Sequence, residues 1–155
     1  MQLKTAHGAD LRRGRVSIQN QVYLVTTVIR NRQLLLGNLY RGRIVVQALQ
    51  HAADCGHATT LAYVVMPDHL HWLLSLGGKV TLPGVVSNMK RHTSRQINLQ
   101  RGAAGKGIWQ HGFHDHALRH EEALLDVARY IVANPLRAGL VNSVREYSLW
   151  DVVWL

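Results

Sequence analysis

Two histidines separated by one residue, His69 and His71, are the first side chains in this sequence that could do chemistry together. They lie in a stretch of large apolar residues that predicts a β-strand, and side chains two positions apart on a strand project from the same face. Two imidazoles at that separation can bind one metal ion. The same pair on a half-exposed strand can also bind no ligand. The pattern alone does not decide between a metal-binding pair and a pair without a ligand. Asp68 either orients one imidazole or serves the turn before the strand.

Tyr130 and Asn134 form a second candidate pair: Tyr130 lies on a predicted amphipathic helix and Asn134 follows it four residues later. At that spacing the two side chains are neighbours on the helix surface, at the edge of its apolar stripe. An edge position allows the hydroxyl and the amide to face a cleft, but it also suits a half-buried packing role. A phenol is mostly protonated at neutral pH, so a tyrosine nucleophile needs help from its surroundings.

The charge balance of the chain indicates a polyanionic partner. The 155 residues include 18 Lys and Arg against 9 Asp and Glu, which gives a net charge of +9 with neutral histidines. Of the basic residues, 14 are Arg and 4 are Lys. Arg binds phosphate in a bidentate manner whereas Lys acts as a point charge, so this balance favours nucleic acid. An Arg-rich composition inherited from a GC-rich genome would give the same count.

Length and composition restrict the class of protein. We predict a single domain over residues 1–155, with residues 1–20 as a basic N-terminal arm. Apolar runs such as 61–66 are too short to cross a bilayer, and residues 1–14 lack the apolar stretch of a signal peptide. The lone cysteine, Cys55, excludes an intramolecular disulfide and is expected to be structural. These features predict a cytoplasmic protein with no membrane partner.

Seven segments carry the patterns of regular structure. Runs of β-branched or apolar residues predict strands over 21–29, 59–65, 69–76 and 113–119. Helical periodicity predicts helices over 40–53, 82–99 and 121–133, the first ending near Gly56. The glycine-rich stretch 101–112 is expected to form a mobile loop. The order of elements predicts an α+β fold of the ferredoxin-like split βαβ type, an antiparallel sheet with helices packed on one face.

Two basic clusters and one aromatic residue are the candidate nucleic-acid contacts: Arg12, Arg13 and Arg15 in the arm, Lys90, Arg91 and Arg95 on the second predicted helix, and Trp109 in the glycine-rich stretch. Nucleic-acid binding needs basic side chains for the phosphates, and an aromatic ring can stack on a base. Each of these cations could also be ordinary solvated surface charge.

Four further histidines crowd the stretch before the third predicted helix: His111, His114, His116 and His120. Their spacings match no standard structural zinc site. Contacts to bases or phosphates, or packing within a strand, are the roles predicted for them.

Blocks in order along the chain resemble the REP-associated tyrosine transposases, a bacterial branch of the HUH nucleases that act on single-stranded DNA. The blocks are AYVVMPDHLHWLLSL over 62–76, GIWQHGFHDHALR over 107–119 and ARYIVANPLRAGLV over 128–141. The N-terminal LRRGRVS and QVYLVTTVIRNR and the C-terminal REYSLWDVVWL extend the resemblance over nearly the whole chain.

The resemblance implies a metal site and a reaction. It implies that His69 and His71 bind a divalent ion, Mg²⁺ or Mn²⁺, with Asn134 as a third ligand. It implies that Tyr130 is the nucleophile of a transesterification, which leaves a free 3′-hydroxyl and a rejoinable 5′-phosphotyrosine link. The implied DNA partner is a hairpin-forming palindromic repeat beside a short guide tetranucleotide. The implied assembly is either a monomer acting in cis or a homodimer.

Two other functions stay open from the sequence. One is a hairpin-DNA-binding protein without catalysis, against which the intact set of His69, His71, Tyr130 and Asn134 argues. The other is a metal-dependent phosphodiester hydrolase, in which the histidine-bound metal activates water. Replacement of Tyr130 by Phe separates these functions from a tyrosine transposase.

Overall fold

A computed structural model describes residues 17–103, 105–119 and 123–153. The regular elements within them are β1 (Val22–Val28), α1 (Leu39–Asp54), β2 (Ala58–Val65), β3 (His69–Leu76), α2 (Leu82–Arg101), β4 (His114–Ala117), α3 (Leu124–Val132), α4 (Asn134–Arg137) and β5 (Trp150–Val152). The predicted basic arm with Arg12, Arg13 and Arg15, together with His120 and the predicted helix start at 121, lies outside the described residues. In the part of the chain described, no helix is long and apolar enough to cross a membrane.

The five strands form one antiparallel sheet in the order β4-β1-β3-β2-β5. The first four strands have the arrangement of a split βαβ fold, which confirms the predicted class. β5 was not predicted, because three residues are too few to show a strand pattern. It pairs with β2 at the edge opposite β4.

Helices cover both faces of the sheet, so the expectation that they pack on one face is wrong. Leu70, Trp72 and Leu74 of β3 join the core cluster that contains the buried residues of α1 and α2. Leu73 points the other way and joins a second cluster with Ile131 and Val132 of α3. The central strand, β3, has apolar residues at successive positions, as is typical of strands buried on both faces. Helices must therefore pack against both faces of the sheet to bury these side chains.

Local capping signals fix the ends of α1 and α2. The side chain of Asn38 accepts a hydrogen bond of 2.8 Å from the amide of Tyr40 and so caps α1. Gly56, just past the end of α1, has a left-handed φ of 71°, as the sequence predicted. Thr81 caps α2 by accepting from the amide of Gly84.

The second half of the glycine-rich stretch is fastened to α2, which corrects the expectation of a mobile loop there. The Asn98 side chain donates to the carbonyl of Lys106 at 2.7 Å, and Ser94 Oγ accepts from the amide of Ile108 at 3.1 Å. Trp109 pairs with Ile29 in a single β-bridge. The glycine content suggested a flexible backbone, but polar side chains of α2 form hydrogen bonds with backbone groups of this segment.

Candidate active site and nucleic-acid groove

His69 and His71 lie side by side on the face of β3 that α3 covers. The strand alternation puts them on the side of Leu73, away from α1 and α2. Their ring centroids are 4.8 Å apart and the rings are nearly perpendicular. Because Leu70 and Trp72 are fully buried on the other face, the strand that carries the pair is rigidly held.

A hydrogen-bond partner engages the Nδ1 atom of each histidine. His69 Nδ1 donates to Asp68 Oδ1 at 2.6 Å, and His71 Nδ1 lies 2.8 Å from Thr26 Oγ1. When Nδ1 carries the proton, Nε2 keeps its lone pair. Both imidazoles can therefore present Nε2 to a metal ion, with Asp68 and Thr26 fixing the ring orientations. Asp68 thus has the orienting role that the sequence left open.

Asp68 is itself held by Arg32, whose Nη1 lies 3.3 Å from Asp68 Oδ2. Arg32 stands in a turn after β1 and has a left-handed φ of 49°. Burial by itself raises the pKa of Asp68, but the hydrogen bond and charge of His69, followed by those of Arg32, bring it below its usual value. Asp68 therefore stays ionised and remains an acceptor for His69.

His71 is neutral over the physiological pH range. Burial lowers its pKa to about 4, with smaller contributions from the neighbouring His69 and from the positive charge of Arg137. A neutral imidazole is the form that binds metal ions, because protonation removes the lone pair.

Tyr130 projects from α3 with 62% of its surface exposed, so its hydroxyl is accessible. The guanidinium carbon of Arg137 lies 3.9 Å from the centre of the Tyr130 ring. Asn134 is half-buried one turn after Tyr130, and its Nδ2 donates to the carbonyl of Ile131 at 2.8 Å. This bond leaves Asn134 Oδ1 as the atom that could contact a metal ion.

The basic cluster on α2 borders a groove of about 830 Å³ between that helix and the glycine-rich stretch. Five cationic side chains line it: Arg30, Lys90, Arg91, Arg95 and Lys106. Acidic residues are absent from the described lining. A groove of this size with a positively charged lining suits the phosphate backbone and bases of a nucleic acid.

A small cavity of about 50 Å³ adjoins the groove. Thr26, the partner of His71, lines this cavity together with Gln110, His111, Gly112 and Phe113. The last four residues also line the groove. The shared lining residues therefore bring the groove next to Thr26 on β1.

Two of the predicted DNA contacts have structural tasks in the groove wall. Lys90 Nζ donates to the carbonyl of Gln110 at 2.9 Å and also to that of Gly112, which ties the loop to α2. Trp109 is only 4% exposed and its indole N–H donates to Thr93 Oγ1 at 2.9 Å. Because no ring face of Trp109 is open, we do not propose it as a stacking platform. Arg91 and Arg95 are exposed, as a phosphate contact requires.

The other described histidines do not gather into a metal centre. Among the residues described, no group of three His, Cys, Asp or Glu side chains could hold a metal ion. His114 and His116 are exposed on the edge strand β4. Cys55 lies 3.6 Å from His51 Nε2 at the end of α1, remote in sequence from the histidine pair.

Thr26 and Arg137 are the site residues that sequence reasoning missed. Thr26 was hidden because its role depends on the register between β1 and β3, which pairs it with His71. For Arg137 a signal existed, since Tyr130, Asn134 and Arg137 follow the i, i+4, i+7 spacing of one helix face. The proline after Asn134 suggested that the helix ended there, but Pro135 sits in the first turn of α4.

Comparisons with known proteins find sequence similarity to named transposases. A REP-associated tyrosine transposase of Escherichia coli K12 is 32% identical over 88 residues, which cover 56% of this chain and 49% of that protein. A protein of Haemophilus influenzae named "Putative REP-associated tyrosine transposase" is 28% identical over 97 residues, covering 57% of this chain and 55% of that protein. The aligned part of this chain thus spans about half the length of these two relatives.

The fold resembles a solved structure of a REP-associated tyrosine transposase bound to a REP hairpin. The two share a TM-score of 0.66 and 26% sequence identity, over 88% of this chain and 79% of the other. The family model described as "Transposase IS200 like" matches residues 17–134, a range that contains both histidines, Tyr130 and Asn134. The chain therefore belongs to the IS200-like transposase family.

Proposed function

We propose that this protein is a metal-dependent transposase that cleaves and rejoins single-stranded DNA at hairpin-forming repeats, through a 5′-phosphotyrosine on Tyr130. The observation that carries the proposal is the paired orientation of His69 and His71. Each has Nδ1 engaged by a protein oxygen, and both lie on the sheet face that is covered by the helix bearing Tyr130.

The donor set fits a divalent metal ion. His69 and His71 would bind it through Nε2, and Asn134 through Oδ1, which leaves the other coordination positions to substrate oxygens and water. Two imidazoles favour Mn²⁺ somewhat more than Mg²⁺, which prefers oxygen ligands. When bound, the ion would position the scissile phosphate and neutralise charge that develops on its oxygens.

The reaction exchanges one phosphate ester for another. The Tyr130 oxygen forms a bond to phosphorus as the bond between phosphorus and the 3′ oxygen breaks. The phenol gives up its proton, and the 3′ oxygen takes one up and leaves as a hydroxyl, so no oxidant or further reactant is needed. Because the ester bond is kept on Tyr130, the reverse attack by a 3′-hydroxyl rejoins DNA.

The basic groove is the DNA-binding surface in this proposal. Arg91 and Arg95 would contact phosphates, whereas Lys90 maintains the groove wall. The hairpin held by the structural relative supports hairpin DNA as the substrate class. In this proposal one strand runs from the groove past Thr26 to the histidine pair, which is supported by the residues that line both the groove and the cavity at Thr26.

Action in cis by a monomer is the simplest arrangement. α3 packs against β2 and β5 of its own chain, with Ile131 buried in the same cluster as Leu73. Tyr130 and the histidine pair of one chain are thus on the same side of one sheet. Sedimentation of the protein with and without hairpin DNA would show whether a homodimer forms instead.

The proposal is tested with a library of hairpin oligonucleotides that carry randomised single-stranded flanks. With Mn²⁺, the wild-type protein should form a covalent protein–DNA band that survives denaturation, and EDTA should abolish it. Tyr130→Phe should lose the band, whereas Tyr40→Phe should keep it, since Tyr40 is equally exposed at 63% on α1.

Other outcomes would overturn the proposal in favour of a stated alternative. Cleavage by Tyr130→Phe without an adduct would indicate a hydrolase that uses water. Retention of hairpins by the wild type with neither cleavage nor adduct would indicate a binding protein. An adduct that persists in EDTA would remove the metal from the mechanism.

A further inference from the structure

Arg137 lies against the ring of Tyr130, the proposed nucleophile. It follows Tyr130 by seven residues and Asn134 by three, so the three side chains share one side of the α3–α4 segment. Its guanidinium carbon is 3.9 Å from the centre of the Tyr130 ring, well within the range of a cation–π contact. Such a contact restrains the orientation of an otherwise exposed phenol ring.

The charge of Arg137 also reaches the candidate metal site. Arg137 is one of the groups whose positive charge is felt by His71. Among the described residues, no carboxylate forms an ion pair with Arg137. The molecule therefore holds an exposed guanidinium, with no ion-pair partner among the described residues, beside the proposed nucleophile.

We propose that Arg137 is a catalytic residue whose guanidinium binds the nonbridging oxygens of the phosphoryl group that Tyr130 attacks. This inference rests on the proposed function above. The planar guanidinium matches two phosphate oxygens at once, which an ammonium group cannot do. As the Tyr130 oxygen bonds to phosphorus and the 3′ oxygen leaves, Arg137 stabilises the charge on the equatorial oxygens.

Arg137 has a second task in the same proposal. After the 3′ oxygen has left, the phosphate is an ester of Tyr130 and remains beside Arg137. The same contacts then hold the phosphotyrosine in position for the reverse attack that rejoins the strands. Loss of Arg137 should therefore slow cleavage and rejoining alike, since both reactions pass through the same transition state.

The test is the single-turnover rate of adduct formation at saturating hairpin DNA with Mn²⁺. Arg137→Ala should form the Tyr130 adduct at least ~100-fold more slowly than wild type, the usual effect of removing one charge-stabilising group. Arg129→Ala is the matched control, because Arg129 is an exposed arginine on the same segment that faces Asp126 instead. It should stay within about threefold of wild type, since a solvated ion pair of this kind has little energetic effect.

Chemical rescue separates a catalytic role from a structural one. Ethylguanidinium at millimolar concentration should accelerate Arg137→Ala at least ~10-fold and leave Arg129→Ala unchanged, because a free guanidinium can replace the missing group only at the phosphate. A rate for Arg137→Ala equal to that of Arg129→Ala would overturn the inference. A slow Arg137→Ala that ethylguanidinium does not accelerate would overturn it as well, since a structural defect behaves in that way.

Failure of the inference differs from failure of the proposed function. If the wild-type protein forms no Tyr130 adduct, the proposed function is wrong. If it forms the adduct and Arg137→Ala does so equally fast, only the role of Arg137 is wrong.

Discussion

Thr26 and His71 face each other on adjacent antiparallel strands, and Thr26 Oγ1 lies 2.8 Å from His71 Nδ1. The next residue, Thr27, is fully buried, points to the opposite face and has a hydroxyl without a hydrogen-bond partner among the described residues. Of these two adjacent threonines, only Thr26 contacts a histidine of the candidate metal site.

Thr26→Val should weaken Mn²⁺ binding about 10- to 100-fold, because the hydroxyl that fixes the His71 ring is lost while the side-chain shape is kept. Thr27→Val is the matched control and should bind Mn²⁺ like wild type, with equal or higher stability, since it removes an unpaired buried hydroxyl. Isothermal titration calorimetry with Mn²⁺ measures both. Equal affinities for the two variants would contradict the orienting role of Thr26.

The metal-free protein should lose stability as the pH falls from about 6.5 towards 4. His71 has a folded-state pKa of about 4, below its value in the unfolded chain, so between these pH values the unfolded state binds more protons. The loss should reach roughly 3 kcal/mol at pH 4, which urea unfolding at several pH values measures.

His71→Gln provides the comparison for that pH dependence, because the remaining histidines are common to both proteins. The difference in unfolding free energy between wild type and variant should shrink as the pH falls through this window. A difference that stays constant from pH 7.5 to pH 4 would show that His71 is not buried in its neutral form.

Removal of either groove arginine should weaken hairpin DNA binding without unfolding the protein. Arg91→Gln and Arg95→Gln each delete one exposed cation from the groove, so each should reduce the slope of log K against log salt concentration by about 1. Arg145→Gln, an exposed residue outside the groove lining, should leave the slope unchanged. Fluorescence anisotropy over a range of NaCl concentrations gives these slopes, and identical slopes for all three variants would place DNA elsewhere.

Lys90→Met should loosen the groove wall. The ammonium of Lys90 bonds to the carbonyls of Gln110 and Gly112, so its removal leaves those groups without this partner and should lower the melting temperature by a few degrees. Amide hydrogen exchange should rise over 110–113. Lys79→Met, which removes an exposed lysine outside the groove lining, should change neither quantity; equal effects of the two would argue against a bracing role.

Structural features that depend on local sequence patterns could be predicted from the sequence. β3 has the predicted bounds of His69–Leu76, and the shared face of His69 and His71 follows from strand alternation alone. The split βαβ order also followed from the sequence, because segments read as four strands alternated with helices of clear helical periodicity in the order of that fold. The spacing of Tyr130 and Asn134 was also evident from the sequence, although the structure places Tyr130 in α3 and Asn134 at the start of α4.

Features that depend on contacts between distant segments could not be predicted in that way. Thr26 rather than Thr27 serves His71 because of strand register, and a slip of one residue would exchange them. α3 covers the second face of the sheet because Leu73 and its neighbours need burial there, which no pattern within α3 reveals. The tethering of 106–112 likewise depends on the side chains of α2.

The site of covalent attachment tests the central claim most directly. After reaction with the hairpin library and Mn²⁺, the protein is digested with protease and nuclease, and the peptide that carries a nucleotide is identified by tandem mass spectrometry. The account predicts a 5′-phosphate ester on Tyr130 and a free 3′-hydroxyl on the released strand. A nucleotide on any other residue, such as the equally exposed Tyr40, or products released with no peptide attached, would contradict it.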